Sequence, residues 1–174
     1  MSNSTEFHPD RYAWLFAGRR SAARRAPRAI RVLLIDDNEL FVEALALTLA
    51  GAPRVEIVGS ALDGRRALEL VPELRPDVVV MDLEMPEMDG IETTRRLRAL
   101  EPSARVVVLS ANAEPWSVER AHEVGAVAYV TKDRPTDELV DAIEKATELA
   151  RPFGTRFLLA DPDVWSLEAL PWSA

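Results

Sequence analysis

The chain has 174 residues, 48% of them hydrophobic, a formal net charge of −8 and no cysteine. That length suits one domain of ordinary size with some excess, and the apolar content is enough for a proper core. Without cysteine, disulfides, zinc–thiolate sites and thiol catalysis are excluded, which fits a reducing compartment. No apolar run reaches the ~18 to 20 residues that a membrane-crossing helix needs.

The charge is unevenly spread. Residues 1–29 hold six arginines against two acids (+4), residues 30–150 hold 13 basic against 24 acidic side chains (−11), and residues 151–174 hold two against three (−1). The central part is therefore a poor nucleic-acid binder by itself, whereas the N-terminal arm is basic. Arg19-Arg20 has the form of a twin-arginine export signal, but the next apolar stretch, Ile30 to Ile35, is too short for one and ends in two aspartates. The expected compartment is the cytoplasm.

The elements follow one rhythm. Val32-Leu33-Leu34-Ile35 marks a first strand near 31–36, a short continuous apolar run of the kind shown by parallel strands buried on both faces. A helix over about 39–50 follows, and Leu40, Ala44 and Leu47 with Phe41, Leu45 and Leu49 are expected to pack on the sheet. Gly51 and Pro53 stop it. The second strand is 55–59, and the next helix, 65–74, contains Pro72, which is expected to distort it.

Strand three is 78–82. The turn-rich Met85-Pro86-Glu87-Met88-Asp89-Gly90 leads to a helix over 91–100. Strand four is 106–109, its helix runs over 116–124 until Gly125, and strand five is 128–130. The last helix has Thr136 as N-cap, Asp137 and Glu138 in its first turn, and Leu139, Ile143, Ala146 and Ala150 on one stripe. Five such βα units imply an α/β fold, a doubly wound five-stranded parallel sheet. Residues 151–174, with Phe153, Phe157, Trp165, Leu167, Leu170 and Trp172, are too few for a DNA-binding domain. They read as an apolar tail folded over the domain's own surface, or one that covers a partner or a second copy.

Polar side chains collect at the strand ends. Asp36-Asp37 closes the first apolar run and Asp82 the third, while Ser110 follows Val106-Val107-Val108-Leu109 and Lys132 follows Tyr129-Val130-Thr131. In a sheet ordered 2-1-3-4-5 these ends line one crevice, where open α/β sheets place their ligands. Clustered carboxylates repel unless a hard cation lies between them, and an all-oxygen set favours Mg²⁺ over zinc. Asp82, alone at the end of the central strand, is the natural nucleophile for a phosphoryl group, with Lys132 and Ser110 on its oxygens. A phosphoryl group adds ~1.5 to 2 negative charges, enough to draw Ser110 inward.

With RVLLIDDNEL (31–40), PDVVVMDLEMPEMDG (76–90), VVVLSAN (106–112) and GAVAYVTKD (125–133) in this order, residues 30–150 resemble a response-regulator receiver domain of two-component systems, between a basic arm (1–29) and the apolar tail (151–174). The resemblance implies a flavodoxin-like fold. It implies Asp82 as phosphoacceptor, Asp37 as a direct Mg²⁺ ligand with Asp36 acting mainly through water, and the Glu84 backbone carbonyl as a further ligand. It places Ser110 and Tyr129 at the switch positions, Lys132 at the phosphoryl contact, and Glu84 and Asn112 where the dephosphorylation rate is tuned. The donor would be a histidine kinase or histidine phosphotransfer protein. Such a domain is not a turnover enzyme, although its phosphorylation and dephosphorylation depend on Mg²⁺.

Many receivers follow the lysine with proline; here Asp133 follows, so a cis proline cannot hold that turn. Lys132-Asp133 resembles receivers that precede LuxR-type helix-turn-helix domains, and the chain resembles a stand-alone receiver with extensions. Asp82-Leu83-Glu84 is also similar to the nucleophile motif of haloacid-dehalogenase-type phosphatases, but their cap and further acidic motifs are absent. Tyr129 is read equally as a plain strand aromatic or as a moving switch, and Trp116 as packing or as an anchor.

Three outputs stay open: phosphorylation-dependent binding of a partner or a second copy, a transcriptional regulator touching DNA through Arg19, Arg20, Arg24, Arg25, Arg28 and Arg31, or a phosphate sink. DNA is disfavoured, because no recognition helix accompanies the arginines and the acidic domain opposes them.

Overall fold

The computed structural model describes residues 28–111, 113–134, 136–148 and 158–159. The arm up to residue 27, Asn112, Pro135 and most of the tail lie outside the described residues, so the expected boundaries at 29 and 150 are not tested.

Five βα units alternate as expected. They are β1 (Ile30–Ile35), α1 (Glu39–Leu49), β2 (Val55–Ala61), α2 (Gly64–Leu74), β3 (Val78–Met81), α3 (Gly90–Leu100), β4 (Arg105–Ser110), α4 (Pro115–Glu123), β5 (Ala128–Thr131) and α5 (Thr136–Glu148). A two-residue β6 (Leu158–Leu159) follows. All pairings are parallel, and the order is β2-β1-β3-β4-β5-β6. The 2-1-3-4-5 core is the one read from the sequence; the sixth strand is new, because two leucines inside an irregular apolar tail carry no strand periodicity.

Successive residues of a strand point to opposite faces, so each strand feeds two cores. Leu33, Ile35, Val79, Met81, Val106, Val108 and Tyr129 pack under α2, α3 and α4. Ile30, Val32, Leu34, Val78, Val80, Val107 and Val130 pack under α1 and α5. Burial on both faces is why these strands read as unbroken apolar runs.

The helix ends are set locally. Asn38, Asp63 and Asp89 cap α1, α2 and α3 by accepting from the amides of Phe41, Arg66 and Glu92, which satisfies donors the helix cannot reach itself. Thr136, expected as an N-cap, is the first helical residue of α5. Pro72 sits within α2, which nevertheless continues to Leu74 and ends on Arg75 in the left-handed region (φ 45°). After α4, Gly125 takes φ +97°, where a Cβ would lie 2.7 Å from Arg98 Nη1, and its carbonyl accepts from that nitrogen at 2.9 Å.

One packing expectation is overturned. α1 buries Val42, Ala46 and Leu49, with Phe41 and Leu45 alongside, whereas Leu40 is 77% exposed, Leu47 48% exposed, and Ala44 also faces outward. At 100° per residue, positions 40, 44 and 47 fall opposite 42, 46 and 49. An apolar helix offers two possible inward stripes, and composition alone does not choose between them.

β3–α3–β4 and β4–α4–β5 step toward the β5 edge with their helices on one face, while α5 packs on the other face.

Candidate functional site

The ladder hydrogen bonds run past the ends of the central strands and fix the carboxylates. Ile35 pairs with Met81, the next amide, Asp82 N, donates to the Ile35 carbonyl at 2.9 Å, and Asp36 N donates to Ala61 at 3.2 Å. This continued register brings Asp36 and Asp82 side by side; a slip of one residue would send them to opposite faces. Both are almost wholly buried, and Asp37 is exposed. Asp36, Asp37 and Asp82 each offer an oxygen, all within 4.8 Å of one another.

Lys132 reaches this group from the end of β5. Ser110 pairs with Thr131, and Lys132 N donates to the Ser110 carbonyl at 2.8 Å, which places the lysine beside β4. Its Nζ lies 2.7 Å from Asp36 Oδ2 and 3.0 Å from Asp82 Oδ2. The Phe41 ring centroid is 4.7 Å from the same nitrogen, a cation–π contact from the first turn of α1. Asp36 Oδ1 accepts from Asn38 N at 3.0 Å, and Asp82 Oδ1 accepts from Glu84 N at 3.4 Å.

Burial raises the Asp82 carboxyl above the usual carboxylate range; the Lys132 hydrogen bond and charge oppose that rise, and the neighbouring Asp36 charge adds to it. For Lys132, burial alone would lower the ammonium, but the hydrogen bonds and charges of Asp36 and Asp82 outweigh it and hold the group above its ordinary value. The lysine is thus a fixed cation between two anions.

The turn after Lys132 has no proline to fix it. Thr131 Oγ1 donates to the Asp133 carboxylate, Arg134 N donates to the Thr131 carbonyl at 3.1 Å, and the Thr131 hydrogen bond lowers the Asp133 pKa. Asp133 is the residue that departs from the common receiver pattern, and it accepts the bond that holds the turn.

Asp36, Asp37, Asp82 and Lys132 come together as expected. Ser110 is buried at the end of β4, and Tyr129 is buried on β5. Glu84 is exposed beside Asp82; Asn112 lies outside the described residues. Sequence reasoning missed Phe41, Asn38 and Gly90. A Cβ on Gly90 would stand 2.1 Å from the Asp82 carbonyl oxygen and 2.8 Å from Leu83 Cα, so only glycine lets α3 begin against the backbone of Asp82. Its signal was present in the Asp89-Gly90 pair, legible as a turn but not as a close approach.

The donor set suits a hard cation: all oxygens, one of them exposed to entry, with no nitrogen or sulfur ligand. Among the described residues no helix is long and apolar enough to cross a membrane.

Residues 32–144 match the family model described as the response regulator receiver domain. The chain is 40% identical over 119 residues to the transcriptional regulatory protein LiaR of Bacillus subtilis (strain 168), covering 68% of this chain and 56% of that protein. It is 37% identical over 115 residues to the transcriptional regulatory protein DegU of Brevibacillus brevis, covering 66% and 49%. The chain spans about half the length of these curated relatives.

Among solved structures it is similar to a LuxR-family two-component response regulator from Aurantimonas sp. SI85-9A1 (34% identity, TM-score 0.69, covering 78% of this chain and 92% of that one). It is also similar to the response regulator domain of Thermotoga maritima CheB (32% identity, TM-score 0.66, covering 71% and 100%). With the matched residues spanning the sheet from β1 to α5, this chain belongs to the response-regulator receiver family.

Proposed function

We propose that the chain accepts a phosphoryl group on Asp82 from a histidine kinase or histidine phosphotransfer protein in the cytoplasm, and that the phosphoryl group changes its affinity for a protein partner. The observation that carries this reading is Lys132 bridging Asp36 and Asp82 at the C-terminal end of the sheet, next to the exposed Asp37.

An Asp82 carboxylate oxygen attacks the phosphorus of a phosphohistidine; the O–P bond forms as the P–N bond breaks, and the imidazole nitrogen leaves and takes up a proton. Lys132, already beside the reacting carboxylate, meets one phosphoryl oxygen as a point charge, and the Ser110 hydroxyl donates to another. Asp36, Asp37, Asp82 and the Glu84 carbonyl are the residues that would hold Mg²⁺. The bound ion supplies neutralisation between the carboxylates and the incoming phosphoryl group. Attack of water on the aspartyl phosphate returns phosphate and the free carboxylate, and Glu84 and Asn112 would tune that rate. The chain is a phosphoacceptor rather than a turnover enzyme.

The output is protein binding rather than DNA contact. Of the arginines that could meet phosphates, Arg28 lies 3.6 Å from Asp77 and Arg31 Nη2 donates to the Leu74 carbonyl at 2.7 Å, so two of them face the chain's own surface. Labelling by acetyl phosphate with Mg²⁺ tests the phosphoacceptor: Asp82→Asn must abolish the hydroxylamine-sensitive label, and persistent labelling removes the proposal. A gel shift at physiological salt with and without residues 1–29 tests the DNA reading; an arm-dependent shift would favour it.

A further inference from the structure

The two helical faces of the sheet differ in charge. On one, α1 and α5 carry seven acidic side chains against one lysine; on the other, α2, α3 and α4 carry five against six arginines. The cations beside the acidic face are already engaged: Arg54 lies 3.4 Å from Glu144, and Lys145 pairs with Asp141.

The same face leaves an apolar stripe uncovered. Leu40, Ala44 and Leu47 recur at helical spacing along α1 and are exposed. Leu40 and Leu47 are two of the four large hydrophobic side chains exposed among the described residues; the others, Leu100 and Trp116, stand singly on α3 and α4. An apolar row among carboxylates fits a segment that is both basic and apolar.

The N-terminal arm has that composition. Residues 1–27 hold Arg11, Arg19, Arg20, Arg24 and Arg25 against Glu6 and Asp10, with Tyr12, Trp14, Leu15 and Phe16 among them. The described structure begins at Arg28, and two residues later Ile30 N donates to the Arg54 carbonyl at 2.7 Å, in the loop that follows α1. The arm therefore starts near the C-terminal end of α1, a helix of ~17 Å. From Arg28 back to Phe16 the chain can span up to ~40 Å, enough to round the end of β1 and follow α1 to Leu40.

We propose that the α1–α5 face is the docking surface for this chain's own N-terminal arm. Arg19, Arg20, Arg24 and Arg25 lie over the carboxylates of α1 and α5, and Trp14, Leu15 and Phe16 cover the apolar stripe at its Leu40 end. Docking holds the arginines on the chain's own acids and away from nucleic acid, whose phosphates this face repels as well. It also sets the aromatic part of the arm beside the mouth of the site, since Leu40 follows the exposed Asp37 by three residues.

Because the chain has no cysteine, Ser21→Cys takes a nitroxide at one place only. In the whole chain the label is expected to broaden the α1 amides of Ala44 and Thr48 and to leave Arg96 on α3 and Glu119 on α4 unchanged. Leu40→Ser with Leu47→Ser, both at exposed positions, should remove most of that broadening at an unchanged urea midpoint. Salt at ~1 M, which shortens the reach of charge to about 3 Å, should do the same.

No broadening on α1, equal broadening on both helical faces, or α1 broadening that survives both the double variant and the salt overturns the proposal. In a mixture of ¹⁵N chains without nitroxide and nitroxide chains without ¹⁵N, α1 broadening as strong as in the doubly labelled chain assigns the surface to a second copy and likewise overturns it.

Discussion

The Lys132 ammonium stands 3.0 Å from Asp82 Oδ2 while making a second, 2.7 Å contact with Asp36 Oδ2, so one cation serves two buried carboxylates on adjacent strands. Removing it leaves both without an opposite charge. Lys132→Met is therefore expected to destabilise the metal-free protein by about 3 kcal/mol, the scale of breaking a buried pair, read as a lower urea midpoint at unchanged slope. Mg²⁺ should recover part of that loss, because it supplies the missing positive charge. A midpoint within error of wild type would mean that the lysine contributes nothing to holding the cluster.

The raised Asp82 pKa gives stability a definite slope. Above the ordinary carboxylate value, near ~3.9, the unfolded chain has released this proton while the folded chain retains it. The folded state then binds more protons, and stability from this group falls as pH rises until the folded carboxyl has ionised too. Lys132, also held above its ordinary value, contributes stability that is present below the usual lysine pKa of ~10.4 and lost as pH rises through its folded value. In EDTA, Asp82→Asn should remove the acid-side slope and equal or exceed wild-type stability at neutral pH. Parallel urea-midpoint curves for the two proteins would show that Asp82 does not carry it.

Asp37 is the exposed member of the triad, so its charge matters to an incoming cation more than to the fold. A single Mg²⁺ present at ten times its Kd stabilises by about 1.4 kcal/mol through mass action. Asp37→Asn should leave the metal-free midpoint within about 0.5 kcal/mol of wild type and strongly reduce the Mg²⁺-dependent gain. Isothermal titration alongside urea melts measures both quantities, and an undiminished gain would remove Asp37 from the ligand set.

Gly90 tests how closely α3 approaches the reacting residue. The methyl of Gly90→Ala would meet Asp82 backbone atoms at 2.1 and 2.9 Å, and backbone cannot yield as a flexible side chain can. The expected cost is about 1–3 kcal/mol, with slower acetyl phosphate labelling because Asp82 must shift. Gly51→Ala, whose methyl would meet only Thr48 O at 3.1 Å in an exposed position, is the control and should stay within about 0.5 kcal/mol. Equal effects of the two would deny that the contact with Asp82 matters.

The strands and the charged half of the site were legible because their physics is local. An unbroken apolar run such as Val78 to Met81 can be satisfied only by burial on both faces, and a carboxylate directly after it must emerge at the sheet's end. What escaped depends on partners remote in sequence. Phe41 on Lys132 and Gly90 against Asp82 each join two elements, and neither partner's local sequence marks the contact. The orientation of α1 escaped for a different reason, since Leu40 and Leu47 are as apolar as the residues buried opposite them.

β6 offers the last test. It pairs Ala128 with Leu158 and Tyr129 with Leu159, at the β5 edge of the sheet. Lys132 N donates to Ser110 of β4; by alternation the Val130 and Ala128 amides face β4 as well, and the Tyr129 amide faces the other edge, where β6 lies. Covering that edge blocks its use as a template for another strand. Leu158→Pro is expected to speed exchange of the Tyr129 amide by about tenfold or more while moving the global midpoint by less than about 0.5 kcal/mol, the mark of local rather than global opening. Exchange at Tyr129 equal in both proteins would show that β6 does not protect this edge in solution.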